Sequence, residues 1–213
     1  MRGQPWAGCF LANAIMTLMS DSNSLQFKNA KDYKPGDILI SHELIQSRIK
    51  ELAAVITQKY KGQKLLIVGI LKGAFKVMDD LTSELHRQGL TDLQISFITM
   101  KSYPDGTKAK YEPQIVQDMD ISPEGRQVLL VDDVLDTGKS LQVIHKLIKS
   151  RGAALVESLV LVDKPERRQV DYKADYVGFT IPNIWLQGYG MDTGENGRGE
   201  PNIIVGPFSY PLL

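Results

Sequence analysis

The chain has 213 residues, and its 25 lysines and arginines match its 25 aspartates and glutamates, so the formal net charge is zero. That balance argues against a protein that lives on nucleic-acid phosphates or an anionic membrane surface, both of which favour a basic excess. Hydrophobic residues at 43 % and charged ones at 23 % are ordinary globular usage, which excludes a disordered chain and points to an intracellular globular protein.

The first twenty residues stand apart. Trp6 to Met19 is apolar except for Asn13 and Thr17, with Arg2 ahead of it. The run is too short for a bilayer span of ~20 apolar residues and short for the apolar core of a targeting peptide. The expectation is a loosely packed or disordered extension over residues 1–20, or an upstream methionine taken as the start ahead of Met16 or Met19. A single domain with its hood then covers residues 21–213.

From Ile38 onward, helix and strand patterns alternate. Ser41 is placed to cap a helix in which Ile45, Ile49, Leu52 and Ile56 form one apolar stripe. Leu65 to Leu71 is a continuous apolar run, as a strand buried on both faces requires. Lys72-Gly73 breaks it, and a helix follows from Ala74 to Arg87, stopped by Gly89. Leu93 to Met100 reads as the next strand. Lys101 to Gly125 reads as one long polar connection, the length of a functional lid. Val128 to Val131 is another buried strand, with a helix from Lys139 to Arg151 behind it. Leu155 to Val162 and Tyr176 to Ile181 complete the strands, and the glycine-rich tail from Pro182 is expected to be irregular and to form a cap. Strands alternating with helices predict an α/β fold, an open parallel sheet flanked by helices, with a small hood built from the terminal segments.

Ligands of such sheets bind beyond the carboxyl ends of the strands. The central strand is followed by Asp132-Asp133-Val134-Leu135-Asp136-Thr137-Gly138-Lys139-Ser140. Small residues opening a helix can turn their backbone N–H groups onto an anion. Gly138-Lys139-Ser140 is not a nucleoside-triphosphate loop, because that motif needs glycine where this chain has Asp133. Carboxylates beside an anion nest repel phosphate, so they serve hydroxyl groups, a bridging Mg²⁺, or both. A sugar phosphate satisfies both halves. The single cysteine, Cys9, and the scattered His42, His86 and His145 offer no local metal-ligand set of their own. Helix capping by Asp136 and plain solvation of the acids remain open at this level, as does a buried core role for Trp185.

Val128 through Leu141 resembles the phosphoribosyl-diphosphate signature of type I phosphoribosyltransferases. Ile70-Leu71-Lys72-Gly73-Ala74, Lys101-Ser102-Tyr103, Leu161-Val162-Asp163-Lys164, Asp175 to Phe179 and Gly188 to Asp192 are similar to the hypoxanthine-guanine branch. The resemblance spans roughly Ile38 to Ile204, with its motifs in order after successive strands.

The resemblance implies a Mg²⁺-dependent transfer of phosphoribosyl from phosphoribosyl diphosphate to a 6-oxopurine, in purine salvage. Lys72 and Gly73 would form the pyrophosphate loop, where the family holds a non-proline cis peptide. Asp132 and Asp133 would take the ribose hydroxyls and metal, and Thr137, Gly138, Lys139 and Ser140 the phosphate. Ser102 and Tyr103 would open the lid, and Arg198 would contact pyrophosphate. Asp136 would be the acid/base residue near purine N7. Lys164 would donate to the 6-oxo group, Trp185 would stack on the purine, and Leu186 would offer its backbone carbonyl. Asp192 would join Asp132 and Asp133 as a metal ligand beside the base. Homodimers or homotetramers in the cytoplasm are implied, without nucleic-acid or membrane partners, and acceptance of xanthine stays open. A phosphoacceptor receiver domain is a poor rival, since its acid pair lies near the domain start. A non-catalytic regulator on the same scaffold is the other.

Overall fold

Apolar strand runs buried on both faces build the centre of the molecule. The structure is a computed structural model and describes residues 27–104 and 111–207, with only the backbone of 102–104 and 111–113. The expected extension over residues 1–20 lies outside the described residues. The elements are β1 (Ile38–Ile40), α1 (His42–Tyr60), β2 (Leu65–Leu71), α2 (Phe75–Arg87), β3 (Leu93–Pro104) and β4 (Tyr111–Gln117). They continue with β5 (Gln127–Leu135), α3 (Lys139–Ser150), β6 (Leu155–Asp163), β7 (Tyr176–Thr180), β8 (Leu186–Gln187) and β9 (Ile203–Val205).

Six strands form one sheet in the order β4-β3-β2-β5-β6-β7, all parallel except β4, which runs antiparallel to β3 at the edge. Successive side chains of a strand point to opposite faces, so β2 feeds two cores. Leu65 and Ile67 pack with α1 and α2, through Ile45, Ile49, Leu52, Val77 and Leu81. Leu66, Val68 and Ile70 pack with α3, through Leu141, Ile144 and Ile148. Helices therefore cover both faces, as a parallel sheet requires. Ser41 does cap α1, its hydroxyl accepting from the Leu44 N–H at 3.4 Å. Arg48 is buried on α1 and ties it to β7, donating to the carbonyls of Val177 at 3.0 Å and Gly178 at 2.9 Å.

Three expectations are corrected. The connection expected from Lys101 to Gly125 contains β4, and β3 runs on to Pro104, so the two form an antiparallel pair. The central strand extends past Val131 to Leu135, so Asp132 and Asp133 lie inside β5 rather than after it. The tail is not wholly irregular. β8 and β9 join β1 in a three-stranded antiparallel sheet, with Leu186 opposite Val205 and Ile38 opposite Ile204. Segments from both ends of the described chain thus build the hood.

Candidate active site

Register brings the site together. Leu135 of β5 pairs with Asp163 of β6, so the next residues on each strand, Asp136 and Lys164, emerge side by side. The Lys164 N–H donates to the Leu135 carbonyl at 3.0 Å and holds that junction. A cavity of about 180 Å³ opens there, lined by Asp133, Val134, Asp136, Lys164, Trp185, Leu186, Met191 and Asp192. Six residues expected in the site therefore share one cavity: Asp133, Asp136, Lys164, Trp185, Leu186 and Asp192.

Lys164 is buried. Burial pulls its ammonium down to about 8, against the pull of Asp136, while Arg167 lowers it further. Asp136 is not a helix cap: Gly138 occupies the N-cap of α3 with φ +85 and no side chain caps it. The Asp136 carboxylate instead accepts from Arg167 Nε at 3.0 Å. Arg168 braces the same turn, donating to the Leu135 carbonyl at 3.1 Å, to the Asp136 carbonyl and to the Asp163 carboxylate. Sequence reasoning missed Arg167 and Arg168; the signal was a pair of basic residues just past a buried strand end.

Asp132 and Asp133 are pushed up, first by burial; for Asp132 the neighbouring Asp133 charge adds to it. Asp132 accepts from the Asp133 N–H at 3.0 Å, and Asp133 from the Val134 N–H at 2.8 Å. Hydrogen bonds from Asp132 and from the Val134 N–H draw Asp133 partly back, with the charge of Arg198 adding to them. Adjacent carboxylates of this kind, Asp132 buried and Asp133 half-buried, fit a divalent cation, whose charge would relieve both. Among the described residues no group of three or more His, Cys, Asp or Glu could by itself hold a metal. The chain would thus supply part of a ligand set, and a polyanionic substrate the rest.

Gly73 shows why a glycine follows Lys72. A Cβ there would lie 2.0 Å from Asp133 Oδ2, so only glycine lets the loop pass over that carboxylate. The Leu71–Lys72 peptide is cis. The hood closes on this loop, since a Cβ on Gly190 would meet the Gly73 carbonyl at 2.1 Å. Tyr189 anchors the hood on α2 through its hydroxyl and Asp80.

Lys72 and Arg198 lie at the rim rather than in the cavity lining. Lys72 Nζ meets Glu195 at 3.0 Å, and Arg198 meets Asp192 at 2.7 Å and Glu195 at 3.2 Å. Those two cations hold the Glu195 carboxyl below the usual range. The Arg198 Nε is buried without a hydrogen-bond partner. Trp185 is half-buried rather than a core residue; its indole N–H donates to Thr193 Oγ1 at 3.0 Å. Leu186 reaches the cavity from β8. Thr137, Gly138, Lys139 and Ser140 form the turn into α3, where the first helical N–H groups lack intrahelical partners. Thr137 Oγ1 accepts from the Lys139 N–H at 3.5 Å. Ser102 and Tyr103 pair through their backbones with Pro113 and Glu112, and their side chains lie outside the described residues.

An anion turn, an acid pair at the end of a strand and a small hood over both define a class of nucleotide-forming transferases. Residues 36–193 match the phosphoribosyl transferase domain. The chain is 40 % identical over 169 residues to the hypoxanthine-guanine phosphoribosyltransferase of Aquifex aeolicus, covering 79 % of this chain and 93 % of that one. It is 41 % identical over 174 residues to the bifunctional protein TilS/HprT of Listeria monocytogenes, covering 81 % of this chain but only 26 % of the Listeria protein. The chain thus spans about a quarter of the length of those bifunctional relatives. A crystal structure of a Staphylococcus aureus hypoxanthine phosphoribosyltransferase superposes with a TM-score of 0.74 at 40 % identity, covering 79 % of this chain and 90 % of that one. The chain belongs to the phosphoribosyltransferase family, in its hypoxanthine-guanine branch.

Proposed function

We propose that this protein transfers the 5-phosphoribosyl group from phosphoribosyl diphosphate to hypoxanthine or guanine, releasing IMP or GMP and pyrophosphate. The observation that carries the reading is the single cavity shared by Asp136, Lys164, Trp185 and Asp192 beside the Asp132–Asp133 pair.

The residues divide the work. The turn into α3 takes the 5-phosphate on its N–H groups, at the positive end of the helix. Lys164 donates to the purine 6-oxo group, and an ammonium with donors only disfavours the 6-amino group of adenine. Trp185 stacks on the base, and Leu186 presents backbone to its N–H edge. Asp136 holds the proton at purine N7 while N9 bonds to C1′ and the C1′–oxygen bond to pyrophosphate breaks. Arg167 orients that carboxylate. Asp132 and Asp133, with Asp192 across the same cavity, would contribute ligands to a magnesium ion completed by the substrate, and such an ion would neutralise charge on the ribosyl diphosphate. Lys72 and Arg198 draw on the departing pyrophosphate from the rim, and the segment at Ser102 and Tyr103 covers the reaction.

Among the described residues no helix is long and apolar enough to cross a membrane. The reading includes a cytoplasmic homodimer or homotetramer without nucleic-acid or membrane partners. Supporting the assembly, Ile95 and Phe97 on β3 and Val116 on β4 stay exposed on the sheet. Sedimentation velocity tests it, and a monomer at micromolar concentration refutes it.

The decisive assay is steady-state turnover with phosphoribosyl diphosphate and Mg²⁺ against hypoxanthine, guanine, xanthine and adenine. Turnover of the first two with adenine inert is the expected result, and the xanthine lane reads the 2-position. Binding of phosphoribosyl diphosphate without turnover of any base would make the protein a sensor instead.

A further inference from the structure

Glu195 occupies an odd position at the rim. One of its oxygens, Oε2, accepts from Lys72 Nζ at 3.0 Å and from Arg198 Nη2 at 3.2 Å. A single anionic oxygen between two cations is the contact a pyrophosphate oxygen would make with the same pair. The backbone goes out of its way to put it there. Glu195 has φ +66, a conformation that side-chain-bearing residues rarely adopt, and it follows Gly194 at φ +61. The Glu195 N–H donates to Asp192 Oδ2 at 2.7 Å, and Thr193 and Asn196 exchange backbone bonds of 3.0 and 3.2 Å around it. A left-handed residue other than glycine persists only where its surroundings over-determine it, and such residues gather at clamps and switches.

We propose that Glu195 is an internal stand-in for pyrophosphate, its carboxylate occupying Lys72 and Arg198 until phosphoribosyl diphosphate or pyrophosphate displaces it. This rests on the proposal that Lys72 and Arg198 contact pyrophosphate. The Lys72 and Glu195 side chains are 60 % and 67 % exposed, so their contact is weak and screened, as a displaceable latch must be. Once a polyanion takes the two cations, Glu195 faces like charge and must swing away. A prop that pre-orders Lys72 and Arg198 for the ligand predicts the opposite, because removing it would weaken binding. The sign of one measurement separates the two.

The test is calorimetric titration of the full chain with pyrophosphate in the presence of Mg²⁺, for the wild type, Glu195→Gln and Lys72→Ala. Glutamine keeps the size and backbone preferences of Glu195 and removes only its charge. Glu195→Gln is expected to bind pyrophosphate about three- to tenfold tighter, the scale of one exposed and one partly buried ion pair released. That gap should narrow at high salt. Lys72→Ala should bind more weakly. Equal or weaker binding by Glu195→Gln, with Lys72→Ala still impaired, overturns the stand-in and leaves the pyrophosphate contacts intact. If Lys72→Ala binds pyrophosphate as the wild type does, both ideas fall together.

Discussion

Strand β6 carries two buried ionic clusters, one near its start and one just past its end, and they are built on opposite rules. At the start, the Glu157 carboxylate accepts from Lys59, from the Tyr60 hydroxyl and from the Tyr176 hydroxyl, the last at 3.0 Å. Burial pushes Glu157 up, yet those three donors outweigh it and leave the group below its usual range. Past the other end, burial pulls the Lys164 ammonium down to about 8, and on neighbouring β5 burial pushes Asp132 and Asp133 up. A cluster with enough donors for its charge only holds the fold together. One whose charged forms burial disfavours is where a ligand's own charge would find compensation.

Substitutions can break that contrast, beginning with the largest expected effect. Asp136→Asn should lower kcat by about 10²–10⁴ while the melting temperature holds, because only the proton-carrying group is lost. Wild-type single-turnover rates in that variant would take Asp136 out of the chemistry. At the other cluster the pattern reverses. Glu157→Leu strands two tyrosine hydroxyls in the core and should cost about 2–4 kcal/mol of stability by urea unfolding. Its kcat under native conditions should stay that of the wild type.

Lys164→Met is expected to act on base recognition. The change should raise KM for the 6-oxopurines and erode the discrimination against adenine. Unchanged selectivity would move the 6-oxo readout elsewhere.

The smallest effects come with pH. Lys164 has its folded value lowered from 10.5 to about 8, so the unfolded chain binds more protons between those values and stability rises with pH across that window. Purine KM should worsen over the same range, and Lys164→Met should flatten the part of the profile due to the enzyme. Glu157, lowered from 4.5, contributes stability that is present above its unfolded value and lost as pH falls through the folded one. Acid unfolding of Glu157→Leu should be correspondingly less steep.

Sequence reading did well where a signal is local and failed where it is not. The run Leu65 to Leu71 was visible to its last residue, because a strand buried on both faces is apolar throughout. β4 escaped notice: Tyr111-Glu112-Pro113-Gln114 is polar and carries a proline, which an edge strand tolerates and a central one does not. The end of β5 was misjudged because Asp132 and Asp133 look like the start of a loop. Acids inside a strand contradict the apolar rule, and functional sites are where such contradictions are expected. Arg167 left no periodic trace, since its role appears only when Asp136 faces it.

By itself the sequence determined the alternation of helices and strands, the turn into α3 and the acids, lysine and tryptophan that we propose for the site. These are written in spacings of a few residues, which the periods of helix and strand convert directly into faces and ends. Only the tertiary structure decided which of those residues meet. The pairing of Leu135 with Asp163 sets Asp136 beside Lys164, and the packing of Gly190 on Gly73 brings Asp192 and Glu195 over the loop at Lys72. Such contacts join segments far apart in the chain, and strand register and close packing fix them, not any local preference.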